Sequence, residues 1–254
     1  MKNKIVYTSR PVVFSTITGL FALFLAAVFF QYGDGLLTIS AQSNQEDKIR
    51  EIKFFNKTKA FQIVSSDVSG ADLNLVLQNN YDKSINGFYV REGAAEATIT
   101  NVELIYSDFQ TEIAPGEKFA LLLGAGERVY TEGITISAVM FTDGSSDGDP
   151  HIIQGIIDVR KGERVQMEAG LKLLRESEEK DFESRMAYLK RQITGLSVEE
   201  KGRSVDFDAG LFYGRESLKM YLKDIEKRAE SAAPEMDAEF FKIRQKLERV
   251  VPKL

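Results

Sequence analysis

The chain contains no cysteine and no tryptophan, one histidine and five prolines. The missing cysteine excludes structural disulfides, a thiol nucleophile, thiolate-held zinc and a lipid anchor on cysteine. A single histidine, His151, excludes a multi-histidine metal centre and any mechanism needing two imidazoles within one chain. Without tryptophan, a sugar-binding reading loses its largest stacking ring, and only tyrosine and phenylalanine could substitute. Pro115 is the only proline between Pro11 and Pro150, and none lies between Pro150 and Pro234. Two long stretches are therefore free of the residue that interrupts regular hydrogen bonding. The P-loop, G-x-G-x-x-G, G-x-S-x-G and H-E-x-x-H motifs are all absent, as are internal repeats and low-complexity tracts.

What is present begins with 254 residues, 43% of them hydrophobic, enough to bury a core in two modest domains. Charge is unevenly placed. Residues 1–30 hold Lys2, Lys4 and Arg10 and no acid, residues 31–159 carry 9 basic and 19 acidic side chains, and residues 160–254 carry 21 and 19. An acidic middle argues against a nucleic-acid partner, which needs a basic face.

The basic tip MKNKIVYTSR precedes Val12–Phe30, 19 residues without a charge. At about 1.5 Å per residue, such a helix nearly spans a hydrocarbon core of about 30 Å. The flanking cations hold the N-terminus in the cytoplasm and direct the rest outward. The length of the run favours a retained signal anchor over residues 1–30, with a membrane as partner through residues 12–30. The alternative is a signal peptide cut after Ala41 in TISAQS, which would leave the rest secreted or periplasmic. Residues 31–48 read as a linker.

From about residue 49 to 149 the chain reads as strands and turns. Candidate strands are IREIKFF, AFQIVSS, LNLVLQN, INGFYVRE, ATITNVELIYSDF, KFALLL, RVYTE and ITISAVMF. In LNLVLQN, Leu73, Leu75 and Leu77 fall on one face and Asn74, Val76 and Gln78 on the other, and the slip between Ile99 and Val102 suggests a bulge. The expected class is an all-β, antiparallel sandwich with an α-helical region appended over residues 150–254. The segments LNLVLQNNYDKSINGFYV and EIAPGEKFALLL give residues 50–141 a resemblance to Ig-like or fibronectin-type sandwiches of bacterial envelope proteins. The resemblance implies a module that binds or spaces things, and no particular activity.

Residues 141–151, FTDGSSDGDPH, separate two apolar runs. Asp143, Ser145, Asp147 and Gly148 match the opening of a calcium loop, in which alternate side chains converge their oxygens, and Asp149 adds a carboxylate. Position 12 is Gln154 where an EF-hand needs glutamate, so only a looser calcium cage of Asp143, Ser145, Asp147 and Asp149 remains as the metal reading. The competing reading is a capping turn, with Asp149 as N-cap and Pro150 opening a helix. His151 then falls exposed in the first helical turn.

The apolar residues Ile152, Ile153, Ile156, Ile157 and Val159 fit one helix face, with a hairpin over IIQGIIDV–RKGE–RVQM as the alternative. Leu171, Leu174, Phe182, Met186, Leu189, Ile193 and Leu196 keep spacings of mostly three and four, predicting one helix that ends near Gly195. Two more amphipathic helices are expected, over about residues 209–232 and 234–251. The cluster DFDAGLFYG contains Asp206 and Asp208, read as acids of a helix's first turn. Asn56 opens an NKT glycosylation sequon, relevant only in a eukaryotic secretory setting. No residue pattern marks a catalytic group. The sequence therefore favours a non-catalytic interaction or scaffold protein of the cell envelope with a protein partner. A calcium-dependent binding module and an enzyme working with carboxylates alone are the alternatives.

Overall fold

The computed structural model describes residues 36–41, 50–69, 72–92, 98–107, 110–124, 127–231 and 236–254. The hydrophobic run Val12–Phe30 lies outside these residues. No helix among the described residues is long and apolar enough to cross a membrane. The chain divides into two compact units between Ile152 and Ile153.

The first unit contains two sheets. One has the order β1 (Leu36–Ala41), β2 (Arg50–Asn56), β8 (Ile134–Phe141), β5 (Ile85–Glu92), β6 (Thr98–Glu103), with β9 (Ser146–Gly148) also pairing β8. The other has the order β3 (Phe61–Ser69), β4 (Asp72–Asn79), β7 (Lys118–Gly124). Strand β4 behaves as its alternation requires: Leu73, Leu75 and Leu77 are fully buried, while Asp72 and Asn74 are exposed. Phe88 of β5 joins the two sheets in one core, its ring edge-on to Phe61 of β3 at 5.0 Å and to Phe119 of β7 at 5.6 Å. Such edge-to-face pairs match the ring quadrupoles. Strand β8 is buried at all eight positions, as befits a central strand flanked by β2 and β5.

The expectation of an all-β, antiparallel, Ig-like sandwich is overturned. Strand β2 pairs with β8 in parallel, Phe54 opposite Ile134 and Asn56 opposite Ile136, so the larger sheet is mixed. RVYTE, read as a strand, belongs to helix α1 (Glu127–Glu132), and LIY of the candidate strand ATITNVELIYSDF is a 3₁₀ turn, Leu104–Tyr106. The regular structure of the second unit is helical among its described residues: α2 (Pro150–Glu176, which starts in the first unit), α3 (Phe182–Thr194), α4 (Val205–Ser231), α5 (Met236–Val250) and a closing 3₁₀ turn, Val251–Lys253. The class is thus mixed α and β. Strand propensity and alternation report which face is buried. They carry nothing about which strand lies alongside or in which direction, because both pairings satisfy the same backbone groups.

Smaller expectations change too. Strand β6 pairs with β5 in unbroken register from Thr98 to Glu103, so the slip after Ile99 is no bulge; register shifts fall instead between Ile63 and Ser65 and within β5–β8. Strand β1 occupies part of the stretch read as linker and pairs antiparallel with β2, Leu36 opposite Phe55. The helix expected to run on through residue 182 breaks at 177–181. There the Ser177 hydroxyl donates to the Leu174 carbonyl at 2.9 Å, and the Arg185 guanidinium donates to Ser177 Oγ and to the same carbonyl. The Arg185 guanidinium also lies 4.1 Å from the centre of the Phe240 ring in α5. The Leu174 carbonyl at the end of α2 thereby gains side-chain donors beside the Ser177 N–H, which it accepts at 3.3 Å. Asp181 restarts the chain by accepting the Ser184 N–H at 2.9 Å, and α3 closes at Gly195 as expected.

Candidate functional site

The aspartate loop is built around a reversal of direction. Phe141 ends β8, Gly144 turns with φ of 83°, and β9 runs back along β8. At Gly148 a side chain would overlap the Ser137 carbonyl oxygen and lie 2.8 Å from Ala138 Cα. This glycine permits two strands to touch, a role distinct from shaping a cation loop.

Each carboxylate of the loop has its own protein partners. Asp143 Oδ1 accepts the Ser145 N–H at 2.9 Å and the Ser145 hydroxyl at 2.5 Å, while Oδ2 lies 2.7 Å from Lys83 Nζ. Lys83 also donates to Ser145 Oγ at 2.9 Å and sits 5.7 Å from the centre of the Phe141 ring, which stacks on Tyr81. Asp147 Oδ2 accepts the backbone N–H groups of Lys59 at 2.5 Å and Ala60 at 3.1 Å. Asp149 Oδ1 accepts the His151 N–H at 3.1 Å, and its Oδ2 pairs with Lys57 Nζ at 3.1 Å. Asp149 and Pro150 thus open α2 in the manner of a cap and first helical residue, with His151 exposed behind them. Asp143, Asp147 and Asp149 are neighbours in sequence whose carboxylates accept from separate sets of donors, with Ser145 sharing Lys83 with Asp143. Among the described residues, no group of three His, Cys, Asp or Glu side chains is arranged to hold a metal ion. Calcium added in millimolar amount is expected to leave the thermal midpoint unchanged. A rise in the midpoint would show that the loop rearranges to collect its oxygens around the ion.

The electrostatics follow from these contacts. The Lys83 ammonium, with help from Ser145, holds the Asp143 carboxyl well below its ordinary range, and Asp143 in turn raises Lys83. Lys57, then the N–H groups at the start of α2, lower Asp149. Both acids ionise more readily in the folded chain. Their contribution to stability is therefore complete above about pH 4, the ordinary aspartate value, and disappears as pH falls through the lower folded values. Lys83→Met should move the Asp143 titration upward toward that ordinary value while Asp149 stays where it was, as followed by carbon-detected NMR of the side-chain carboxyls. An unmoved Asp143 would show that the lysine is not the cause.

A second polar locus lies where α2 and α4 meet. The places where added side chains would collide pair Gly155 with Asp206, Gly162 with Phe207 and Leu211, Gly214 with Gln166 and Gly170 with Leu218. Both sets of numbers rise together, so the two helices run parallel. The DFDAGLFYG cluster falls on this seam and its two acids separate. Asp206 lies beside Gly155, and Asp208 Oδ1 accepts the Glu200 N–H at 2.9 Å. Ser204 caps α4: its Oγ accepts the Phe207 N–H at 3.2 Å and donates to Asp158 Oδ2 of α2 at 3.1 Å. Burial, then the charges of Glu163 and Asp206, raise the Tyr213 phenol.

Sequence reasoning missed Arg160, Glu163 and Gln166, which are 4%, 4% and 3% exposed on α2. Charged side chains in a mixed-charge helix read as solvated. The signal that could have located them is the row Gly155, Gly162, Gly170, spaced seven and eight residues apart, which marks the face of closest approach. Gln166 Nε2 donates to the Ser197 carbonyl at 2.5 Å, tying the α3–α4 connection to the seam. The Asn56 amide of the NKT sequon is also committed within the fold: Nδ2 donates to the Phe61 carbonyl at 2.7 Å, and Oδ1 accepts from the Thr58 N–H and hydroxyl.

Compared with protein-family models, with curated proteins and with solved structures, the chain matches none.

Proposed function

We propose that this protein is a non-catalytic interaction or scaffold module, tethered to a membrane through residues 12–30, with the rest of the chain on the extracytoplasmic side. The observation that carries the reading is the employment of the carboxylates. Asp143, Asp147, Asp149 and Asp208, the acids with most chemical promise in the sequence, each accept hydrogen bonds from backbone N–H groups or lysines that fasten loops and helix starts. Acids spent in this way shape a surface for contact. The helical unit also keeps Phe212 and Met220 of α4 and Phe241 of α5 outside its core, apolar area that a protein partner could cover. The tether rests on the uncharged run behind a basic tip.

A reporter that matures only outside the cytoplasm, fused after Leu254, is expected to be active, with the fusion remaining in the membrane fraction after alkaline washing. Activity of a cytosol-restricted reporter at the same position would remove the location and the function with it. Crosslinking in intact membranes then identifies the partner. A chain that crosslinks to nothing, under conditions that capture a known membrane complex, would speak against an interaction module.

A further inference from the structure

We draw no further inference here: the strongest candidate, the polar seam between α2 and α4 where Gln166 Oε1 is buried without a protein partner, carries nothing because no second feature there among the described residues points to a ligand of any particular chemistry.

Discussion

Gly210→Ala is expected to lower the stability of the helical unit by about 3 kcal/mol or more, a larger loss than ordinary overpacking, because the obstruction is backbone. The new Cβ would overlap the Val159 carbonyl oxygen and lie 2.8 Å from its carbon and 3.0 Å from the Glu163 nitrogen. No rotamer change relieves contact with a helix backbone, so α2 and α4 must move apart along their whole seam. Gly162→Ala meets the other wall of the same contact, overlapping the Phe207 carbonyl oxygen and lying 2.7 Å from the Leu211 nitrogen. Alanine improves helix propensity by about 1 kcal/mol over glycine, which the clash must exceed and does. Each variant should lower the helix-signal melting midpoint by roughly 12–24 °C, at about 4–8 °C per kcal/mol for a unit of about 100 residues. The double variant should cost less than the sum, since both act on one crossing.

Gly155→Ala is the matched control. Its Cβ would lie 3.2 Å from the Asp206 carboxylate, the movable end of a side chain. That variant should stay within about 1 kcal/mol of the parent or gain stability. If Gly210→Ala melts with the parent, the helices do not cross as closely as described.

Asn79→Ala is expected to cost the first unit about 3–5 kcal/mol, the combined penalty of several buried groups left without partners. Asn79 is fully buried at the end of β4. Its Nδ2 donates to the Lys83 carbonyl at 2.8 Å and to the Ile113 carbonyl at 2.9 Å, and its Oδ1 accepts the Tyr81 N–H at 2.9 Å. Its backbone N–H and carbonyl meet Glu117 and Gly116. One side chain thus closes the 80–84 turn and fixes it to the 113–117 loop. Truncation removes all three side-chain bonds and leaves a void.

Asn79→Asp separates hydrogen bonding from volume. It keeps the shape but aims carboxylate oxygen at two carbonyl oxygens in a buried place, so it should lose about as much at neutral pH. Burial and the facing carbonyls raise the pKa of such an acid. The penalty relative to the parent should therefore shrink as pH falls and the neutral acid, able to donate one bond, takes over. Urea unfolding of both variants across pH checks this. A penalty below about 1 kcal/mol for Asn79→Ala would mean that water replaces the amide and the site is open.

The limits of sequence reading show in particular residues. Leu73, Leu75 and Leu77 were legible as one buried face, because a pleated strand alternates with a period fixed by backbone geometry. Asp149-Pro150 was legible as a helix start, because a side-chain acceptor and a preset φ act within two residues. The amphipathic helix over about residues 209–232 was legible for the same local reason, and α4 buries Leu211, Leu218, Leu222 and Ile225. RVYTE was not legible. A five-residue segment with two β-branched residues and an aromatic fits either state, and its surroundings decide for α1. The Asp143–Asp149 spacing suggested converging oxygens. Spacing along the chain leaves open which partner each side chain meets: Lys83 for Asp143, the 59–60 backbone for Asp147 and Lys57 for Asp149.

By itself, the amino-acid order determined the local periods: which stretches alternate, which turn every 3.6 residues, where caps and breaks fall, and that an uncharged run follows a basic tip. These depend on neighbours within a few positions, where covalent geometry sets the rules. Only the tertiary structure decided that β2 lies parallel to β8, that α2 and α4 press glycine against glycine, and that Asn79 and the loop acids serve as internal fastenings. Those outcomes arise between residues dozens of positions apart, where a backbone amide or a carboxylate accepts any partner of suitable geometry and global packing selects the one it meets.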